Sequence, residues 1–203
     1  GNTHTATATV TVVDDVAPVA KAQAVTVKLS EGGKLTAAAV NNGSDDNCTA
    51  PGALVLSIDK TTFSCTEVGE NTVTLTVADA AGNTHTATAT VTVVDDVAPS
   101  IEVNPDMIKS NAVRNVMVNG KEQWQINVSL QKDCKADVPI DLLSYFISND
   151  NCTVKTVTYA PTDGSPWNNV SHNASHGITV TVEDASGNKT SIEIHLIAKD
   201  ISA

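Results

Sequence analysis

Hydrophobic and polar residues alternate with a period of two over long stretches of the chain, a pattern typical of β-strands with one face on a core. In residues 71–79, Val73, Leu75 and Val77 alternate with polar residues. In residues 84–93, every even-numbered position is threonine, and the odd-numbered positions from 85 to 93 are His, Ala, Ala, Val and Val. The turn sequence Asp-Ala-Ala-Gly-Asn at 79–83 separates the two stretches. The pattern therefore predicts an antiparallel hairpin with its odd-numbered residues facing inward.

The second half of the chain repeats this design. Ile178, Val180 and Val182 alternate with polar residues, and Asp-Ala-Ser-Gly-Asn follows at 184–188. The tripeptide Asp-Asn-Cys precedes the turn in both halves, at 46–48 and at 150–152. Short strands between turns rich in Gly, Pro and Asn predict an all-β chain of tandem immunoglobulin-like antiparallel β-sandwiches.

Residues 1–18 are identical to residues 82–99. Such an undiverged repeat indicates recent duplication, so we expect an array of modules. We interpret residues 1–16 as the last strand of a preceding repeat plus a linker, and residues 17–96 as one immunoglobulin-like module. Residues 97–203 are then a divergent module, with an insertion that we place between about Pro105 and Lys132 and expect to add strand or loop cover.

Charge and cysteine content narrow the functional classes. The net charge of −11 argues against binding of nucleic acid, whose phosphates require Lys and Arg. No apolar run is long enough to cross a membrane, so we expect no membrane insertion. The four cysteines fall two per half without CxxC spacing, and predict the disulfides Cys48–Cys65 and Cys134–Cys152. Disulfides indicate an extracellular, cell-surface location.

Carboxylates concentrate in three segments that an immunoglobulin-like sandwich brings to one end. In the first module these are Asp14, Asp15, Asp45, Asp46 and Asp79, and in the second they are Asp95, Asp96, Asn149, Asp150 and Asp184. Ca²⁺ takes six to eight oxygen ligands from such groups, so we predict calcium at each module junction. The alternative is that Asp and Asn simply favour turns and are solvated there.

The Asp-Asn-Cys tripeptide, the Asp-Ala-Ala-Gly-Asn turn, the alternating Thr/Val strand and the sequence Val-Val-Asp-Asp-Val-Ala-Pro together resemble bacterial hyalin-type (HYR-like) immunoglobulin repeats. The similarity is to arrays in large cell-surface adhesins of gliding Bacteroidetes. It covers residues 1–99 and, in the second module, roughly 148–200. The resemblance implies a large surface-exported filament that contacts substrata.

These observations favour a structural role: spacer modules of an adhesin stalk, with neighbouring repeats of the same chain as partners. Two alternatives stay open. The second module holds most of the aromatic residues, so Trp124 and Trp167 are candidate ligand-binding residues for a surface glycan or protein. The second alternative is that the chain is an accessory β-domain of a secreted hydrolase. The sequence contains no nucleophile elbow, glycine-rich phosphate loop or HExxH motif, so we expect no enzyme activity.

Overall fold

The structure, a computed structural model, describes residues 1–109, 113–129, 142–161 and 175–199. The chain forms two compact units, residues 1–95 and residues 96–203. Both are built from β-strands, which confirms the predicted all-β fold class. Two predicted site residues, Cys134 and Trp167, lie outside the described residues.

The first unit contains one four-stranded sheet. Its strands are β1 (Val25–Lys28), β2 (Val55–Ile58), β3 (Gly69–Ala78) and β4 (Thr84–Val94), in the spatial order β1-β4-β3-β2. β1 pairs with β4 in parallel, and the other pairs are antiparallel. The remaining regular elements are the helix α1 (Ala37–Val40) and the 3-10 helices Leu29–Glu31, Pro51–Ala53 and Cys65–Glu67.

The core of the first unit confirms the predicted alternation, except that His85 near the start of β4 is exposed. Val73, Leu75 and Val77 of β3 are completely buried, and in β4 the odd-numbered positions from Ala89 to Val93 are buried. An irregular layer held by isolated bridges, such as Val19 with Asp45, covers this face of the sheet. Burying one Val or Leu side chain contributes about 1.5–3 kcal/mol, so this face accounts for much of the stability of the unit.

The described residues of the second unit form two sheets. Its elements are β5 (Ser100–Val103), the helix α2 (Pro105–Lys109), β6 (Val113–Val118), β7 (Lys121–Ser129), the 3-10 helix Leu142–Tyr145, β8 (Phe146–Asn149), β9 (Val154–Pro161), β10 (Ser175–Asp184) and β11 (Lys189–Lys199). The larger sheet has the order β6-β7-β11-β10-β9, and β5 pairs with β8 in the smaller one. Ile178, Val180 and Val182 of β10 are buried as predicted.

The predicted insertion in the second unit contributes the hairpin β6–β7. Asn119 and Gly120 form its tip with φ of 51° and 80°, the positive angles that a tight two-residue hairpin turn requires. The hairpin places Val113 and Ile126 in the core with no exposed surface. β7 pairs in parallel with β11 as β1 does with β4, so β6 is the strand by which the larger sheet exceeds that of the first unit.

Residues 1–18 form no strand in this structure. Residues 3–13 have the sequence of β4, yet Val10 and Val12 are 82% and 91% exposed, whereas their counterparts in β4, Val91 and Val93, are buried. The interpretation of residues 1–16 as the last strand of another repeat stays a prediction.

Candidate metal centre

Three aspartates from distant parts of the first unit meet at one end of its sheet. A carboxylate oxygen of Asp14, one of Asp46 and one of Asp79 all lie within 4.8 Å of one another. Asp79 directly follows β3 and continues its inward-facing column, so its side chain is only 5% exposed. Because the incoming segment with Asp14 reaches the unit here, we call this end of a unit its leading end. The opposite end, where β3 begins and β4 ends, is the trailing end.

Asp79 is held by the asparagine four residues later. The carboxylate of Asp79 accepts hydrogen bonds from the backbone N–H and the side-chain amide of Asn83, both at 2.7 Å. The same amide also donates to the backbone carbonyls of Asp14 at 3.1 Å and Val16 at 3.4 Å. Asn83 therefore joins the turn to the incoming segment. Sequence reasoning missed this role, although the recurrence of Asn at the fifth position of both turns was a signal for it.

Asp46 lies in a loop that folds around its own carboxylate. Its Oδ2 accepts from the backbone N–H of Thr49 at 2.7 Å and of Cys48 at 2.9 Å. These bonds hold the pKa of Asp46 below its ordinary value, and the bond from the N–H of Thr49 has the largest effect. Thr49 in turn accepts from the backbone N–H of Ala80, which ties the loop to the turn after β3.

Two carboxylate oxygens in this group are buried without a hydrogen-bond partner. They are Oδ2 of Asp14 and Oδ1 of Asp46. An ionised carboxylate oxygen that is removed from water needs a donor or a cation, because its desolvation is otherwise uncompensated. The donor set is hard oxygen from three segments, which is the chemistry that Ca²⁺ selects. The residues present therefore fit this ion.

The two other predicted ligands of the first unit do not join the group. Asp15 is exposed beside Asp14. Asp45 lies next to Asp46, but its carboxylate pairs with Lys21 at 2.9 Å. Each Asp-Asp pair therefore contributes one carboxylate, that of Asp14 or Asp46, to the group around Asp79.

The second unit repeats the turn geometry. Asp184 is completely buried, and its carboxylate accepts from the side-chain amide of Asn188 at 2.7 Å and from the N–H groups of Ser186 and Asn188 at 2.8 Å. Burial acts to raise the pKa of Asp184, but these hydrogen bonds outweigh it and leave the pKa below the ordinary value. The amide of Asn188 also donates to the carbonyl of Val97 at 3.4 Å.

The other predicted ligands around the second turn have different environments. Asp150 repeats the loop of Asp46: its Oδ2 accepts from the N–H of Cys152 at 2.9 Å, and its Oδ1 is buried without a partner. Asn149 is exposed at the end of β8. Asp95 is buried and Asp96 is exposed, at the boundary between the two units.

The predicted disulfide Cys48–Cys65 is wrong: Cys48 is a free, exposed thiol, whereas Cys65 is disulfide-bonded. Cys48 lies two residues after Asp46 at the leading end, and Cys65 begins the 3-10 helix that precedes β3 at the trailing end. The ten residues of β3 span about 33 Å at 3.3 Å per residue, and a disulfide requires Cα atoms within about 7 Å. Cys152 is disulfide-bonded, and the predicted pairing with Cys134 falls outside the described residues.

Of the two candidate aromatic residues for ligand binding, the structure describes Trp124. It is half-buried and packs against the core of the second unit. Most of the Trp124 side chain therefore has a packing role that requires no ligand.

Residues 1–96 match the family described as the bacterial Ig-like domain. The match supports a bacterial Ig-like repeat in this part of the chain, without distinguishing the hyalin type. The fold of a bacterial Ig-like repeat is compatible with a structural extracellular module, and such families are typically non-catalytic. No curated protein matches the chain in sequence. In the described residues, no helix has the length and apolar character of a membrane span.

Several solved structures match the chain over most of its length. The extracellular domain of protocadherin gammaB4 is 15% identical with a TM-score of 0.39, and the match covers 95% of this chain and 34% of that one. Drosophila N-cadherin EC1-4 is 10% identical with a TM-score of 0.39, covering 91% and 50%. Sidekick-1 immunoglobulin domains 1–4 are 10% identical with a TM-score of 0.37, covering 92% and 48%. The chain thus spans between a third and a half of the length of these proteins.

Proposed function

We propose that this chain is a pair of spacer modules from the stalk of an extracellular, cell-surface adhesin of the hyalin type, and that calcium binds at the leading end of each module. The observation that supports it most directly is the asparagine bridge between the turn and the incoming segment. In the first unit, Asn83 donates to Asp79 and to the carbonyl of Asp14. In the second unit, Asn188 donates to Asp184 and to the carbonyl of Val97.

A spacer must transmit force without bending freely at its linkers. The asparagine bridge fixes the linker to the module that follows it, and a short linker leaves few torsions free. Pro99 restricts one further torsion, because its ring locks φ. The acidic surface also suits an exported filament, since a net charge far from zero opposes self-association.

Calcium would remove the repulsion that the site otherwise contains. Carboxylates within 4.8 Å of one another repel by roughly 1–4 kcal/mol per pair, depending on the effective dielectric. Oδ2 of Asp14 and Oδ1 of Asp46 would be ligands, and the carboxylate of Asp79 would add negative charge. The ion would link the incoming segment, the Asp46 loop and the turn after β3.

Calcium titration of the intact chain tests the proposal. Ligand binding to the folded state alone stabilises it by about 2.7 kcal/mol at a hundredfold excess over Kd. We expect a rise in melting temperature of several degrees in millimolar calcium, reversal by chelator, and a narrower distribution of maximum dimension in solution scattering. Magnesium should have a much smaller effect, because it demands a stricter octahedral geometry.

A pair of neighbouring variants gives the control. Asp46→Asn removes a proposed ligand charge and keeps an acceptor oxygen for the N–H groups of Cys48 and Thr49. Asp45→Asn removes the same charge from the exposed pair with Lys21. The calcium-dependent rise in melting temperature of the first unit should disappear in the former variant and persist in the latter. Equal calcium responses in both variants would contradict the site.

A further inference from the structure

The inserted hairpin of the second unit forms one wall of a cleft on the larger sheet, and β11 forms the other. The cleft has a volume of about 460 Å³ and is lined by Asn119, Lys121, Glu122 and Gln123 of the hairpin and by Glu193 and His195 of β11. Binding sites for small molecules have volumes of roughly 300–1,000 Å³. The cleft is therefore large enough to hold a small ligand.

Strand parity places polar side chains from both walls on the face of the sheet that points away from the core. Ile126 of β7 and Ile194 of β11 have no exposed surface, so the odd-numbered residues of both strands point outward. The two strands are parallel, and Ile194 pairs with Trp124. This register places Gln123 beside Glu193 on the outward face.

Hydrogen bonds hold these groups in place. Nε2 of His195 lies 3.3 Å from Oε1 of Glu193, and Nδ1 lies 3.1 Å from Oγ of Ser175. Because an ionised carboxylate only accepts, Nε2 of the neutral imidazole donates to Glu193, and the hydroxyl of Ser175 donates to Nδ1. On β7, the side-chain amide of Gln125 donates to the side-chain carbonyl of Gln123 at 3.0 Å. The polar groups of the cleft are therefore oriented before a ligand binds.

The first unit, in which every residue is described, lacks these features. Counted from the aspartate of the turn, Glu193 and His195 correspond to Thr88 and Thr90 of β4. No strand of that sheet lies beyond β1, so nothing corresponds to β6. The inserted hairpin and the exchange of two hydroxyl side chains for a carboxylate and an imidazole therefore converge on one cleft. A module that only spaces its neighbours requires neither change.

We propose that this cleft binds a neutral sugar unit of a glycan. A sugar hydroxyl donates and accepts at the same time, so it needs partners of both kinds. The cleft offers an acceptor in the carboxylate of Glu193, a donor in the ammonium of Lys121 and both in the side-chain amide of Gln123. The carboxylates of Glu122 and Glu193 repel an anionic ligand. A purely cationic ligand leaves the ammonium and amide donors without acceptors, so a neutral ligand rich in hydroxyl groups matches the cleft best.

A glycan site would give the second module a recognition role in addition to spacing. The inference goes beyond the stalk proposal and does not depend on it, because none of the proposed calcium ligands lines the cleft. Failure of either proposal leaves the other standing.

Amide chemical shifts of the intact chain test the cleft directly. The probes are the neutral oligosaccharides cellohexaose, mannohexaose and xylohexaose, with hexagalacturonate as the anionic probe and hexalysine as the cationic one. We expect at least one neutral oligosaccharide to shift the signals of residues 119–123 and 193–195, and hexagalacturonate to leave them unchanged. No shift with any neutral oligosaccharide at millimolar concentration would overturn the proposal. Shifts with hexalysine alone would also overturn it, and would assign the cleft to a basic peptide.

Matched variants connect any binding to the two walls. Glu193→Gln keeps the size of a side chain that is 60% exposed and removes its charge, so it should weaken binding of the responding oligosaccharide about tenfold without changing the melting temperature. Gln123→Ala should weaken binding from the opposite wall. Glu183→Gln makes the same change as Glu193→Gln on β10, where Glu183 pairs with Lys189 outside the cleft, and should leave the affinity unchanged. Binding that persists unchanged in both Glu193→Gln and Gln123→Ala would overturn the proposal.

Discussion

The side-chain amide of Asn83 donates to the buried carboxylate of Asp79 at 2.7 Å. Asn188 and Asp184 repeat the same bond at 2.7 Å in the second unit. In both units the asparagine also bonds a carbonyl of the incoming segment, so one residue satisfies a buried charge and fixes a linker. The bond therefore couples the stability of each unit to the rigidity of its leading end.

Replacing Asn83 should separate this role from that of an ordinary turn residue. Asn83→Ala removes a charge-assisted hydrogen bond to a buried carboxylate and should lower the free energy of unfolding by about 1–3 kcal/mol. Asn42→Ala, at an exposed loop position, should change it by less than about 0.5 kcal/mol. Urea unfolding measures both. Equal, small changes would show that the turn holds Asp79 without Asn83.

Two copies of the same sequence allow a matched test of the core. Val91→Ala removes methyl groups from a completely buried site in β4 and should cost about 2 kcal/mol. Val10→Ala makes the same change at the identical position of residues 1–18, where the side chain is 82% exposed, and should have almost no effect. Thermal unfolding compares them. A comparable loss in Val10→Ala would mean that residues 3–13 also pack as a strand.

Acid should weaken the trailing end through Glu67. Its hydrogen bonds lower the pKa of Glu67 to about 2, and the bond with Lys60 contributes more than those with Ser64. Because the folded-state pKa lies below the unfolded value of about 4.3, the contribution is present above that value and is lost as pH falls toward 2. The stability cost of Glu67→Gln should therefore be constant near neutral pH and shrink between about pH 4 and pH 2. Glu70→Gln, at an exposed position, should show no such trend in urea midpoints.

Fluorescence of Trp124 tests whether the inserted hairpin packs as the structure describes. In a Trp167→Phe variant Trp124 is the sole tryptophan, and its half-buried ring should emit at shorter wavelength than in the unfolded chain. Acrylamide should quench it less efficiently in the folded protein. Equal quenching in both states would assign Trp124 to an exposed surface, which favours the ligand-binding alternative.

The alternating pattern was sufficient to predict the hairpin β3–β4 and its inward face. Side chains alternate between faces along any strand, so the burial of Asp79 and Asp184 also followed from their parity with Val77 and Val182. The choice between Asp14 and Asp15, or between Asp45 and Asp46, did not follow. Loop residues have no fixed period, and the orientation of each is decided by bonds such as those from Thr49 to Asp46.

The sequence likewise predicted only part of the cysteine chemistry. Their number and spacing indicated disulfides, but short sequence separation was misleading, because β2 and its connections carry the chain from the leading end at Cys48 to the trailing end at Cys65. Only the tertiary structure decided which cysteines lie at the same end of a unit.

Residues 3–13 and residues 84–94 show most directly what the sequence pattern alone does not determine. Both have one sequence, which by itself determines a strand-forming pattern with a single apolar face. Residues 84–94 form β4 because β1 and β3 supply hydrogen-bond partners on both edges and a core beneath Val91 and Val93. Residues 3–13 pair with no strand among the residues that the structure describes, and they form no strand themselves. Periodicity is a local property, whereas a strand requires partners that distant parts of the chain supply.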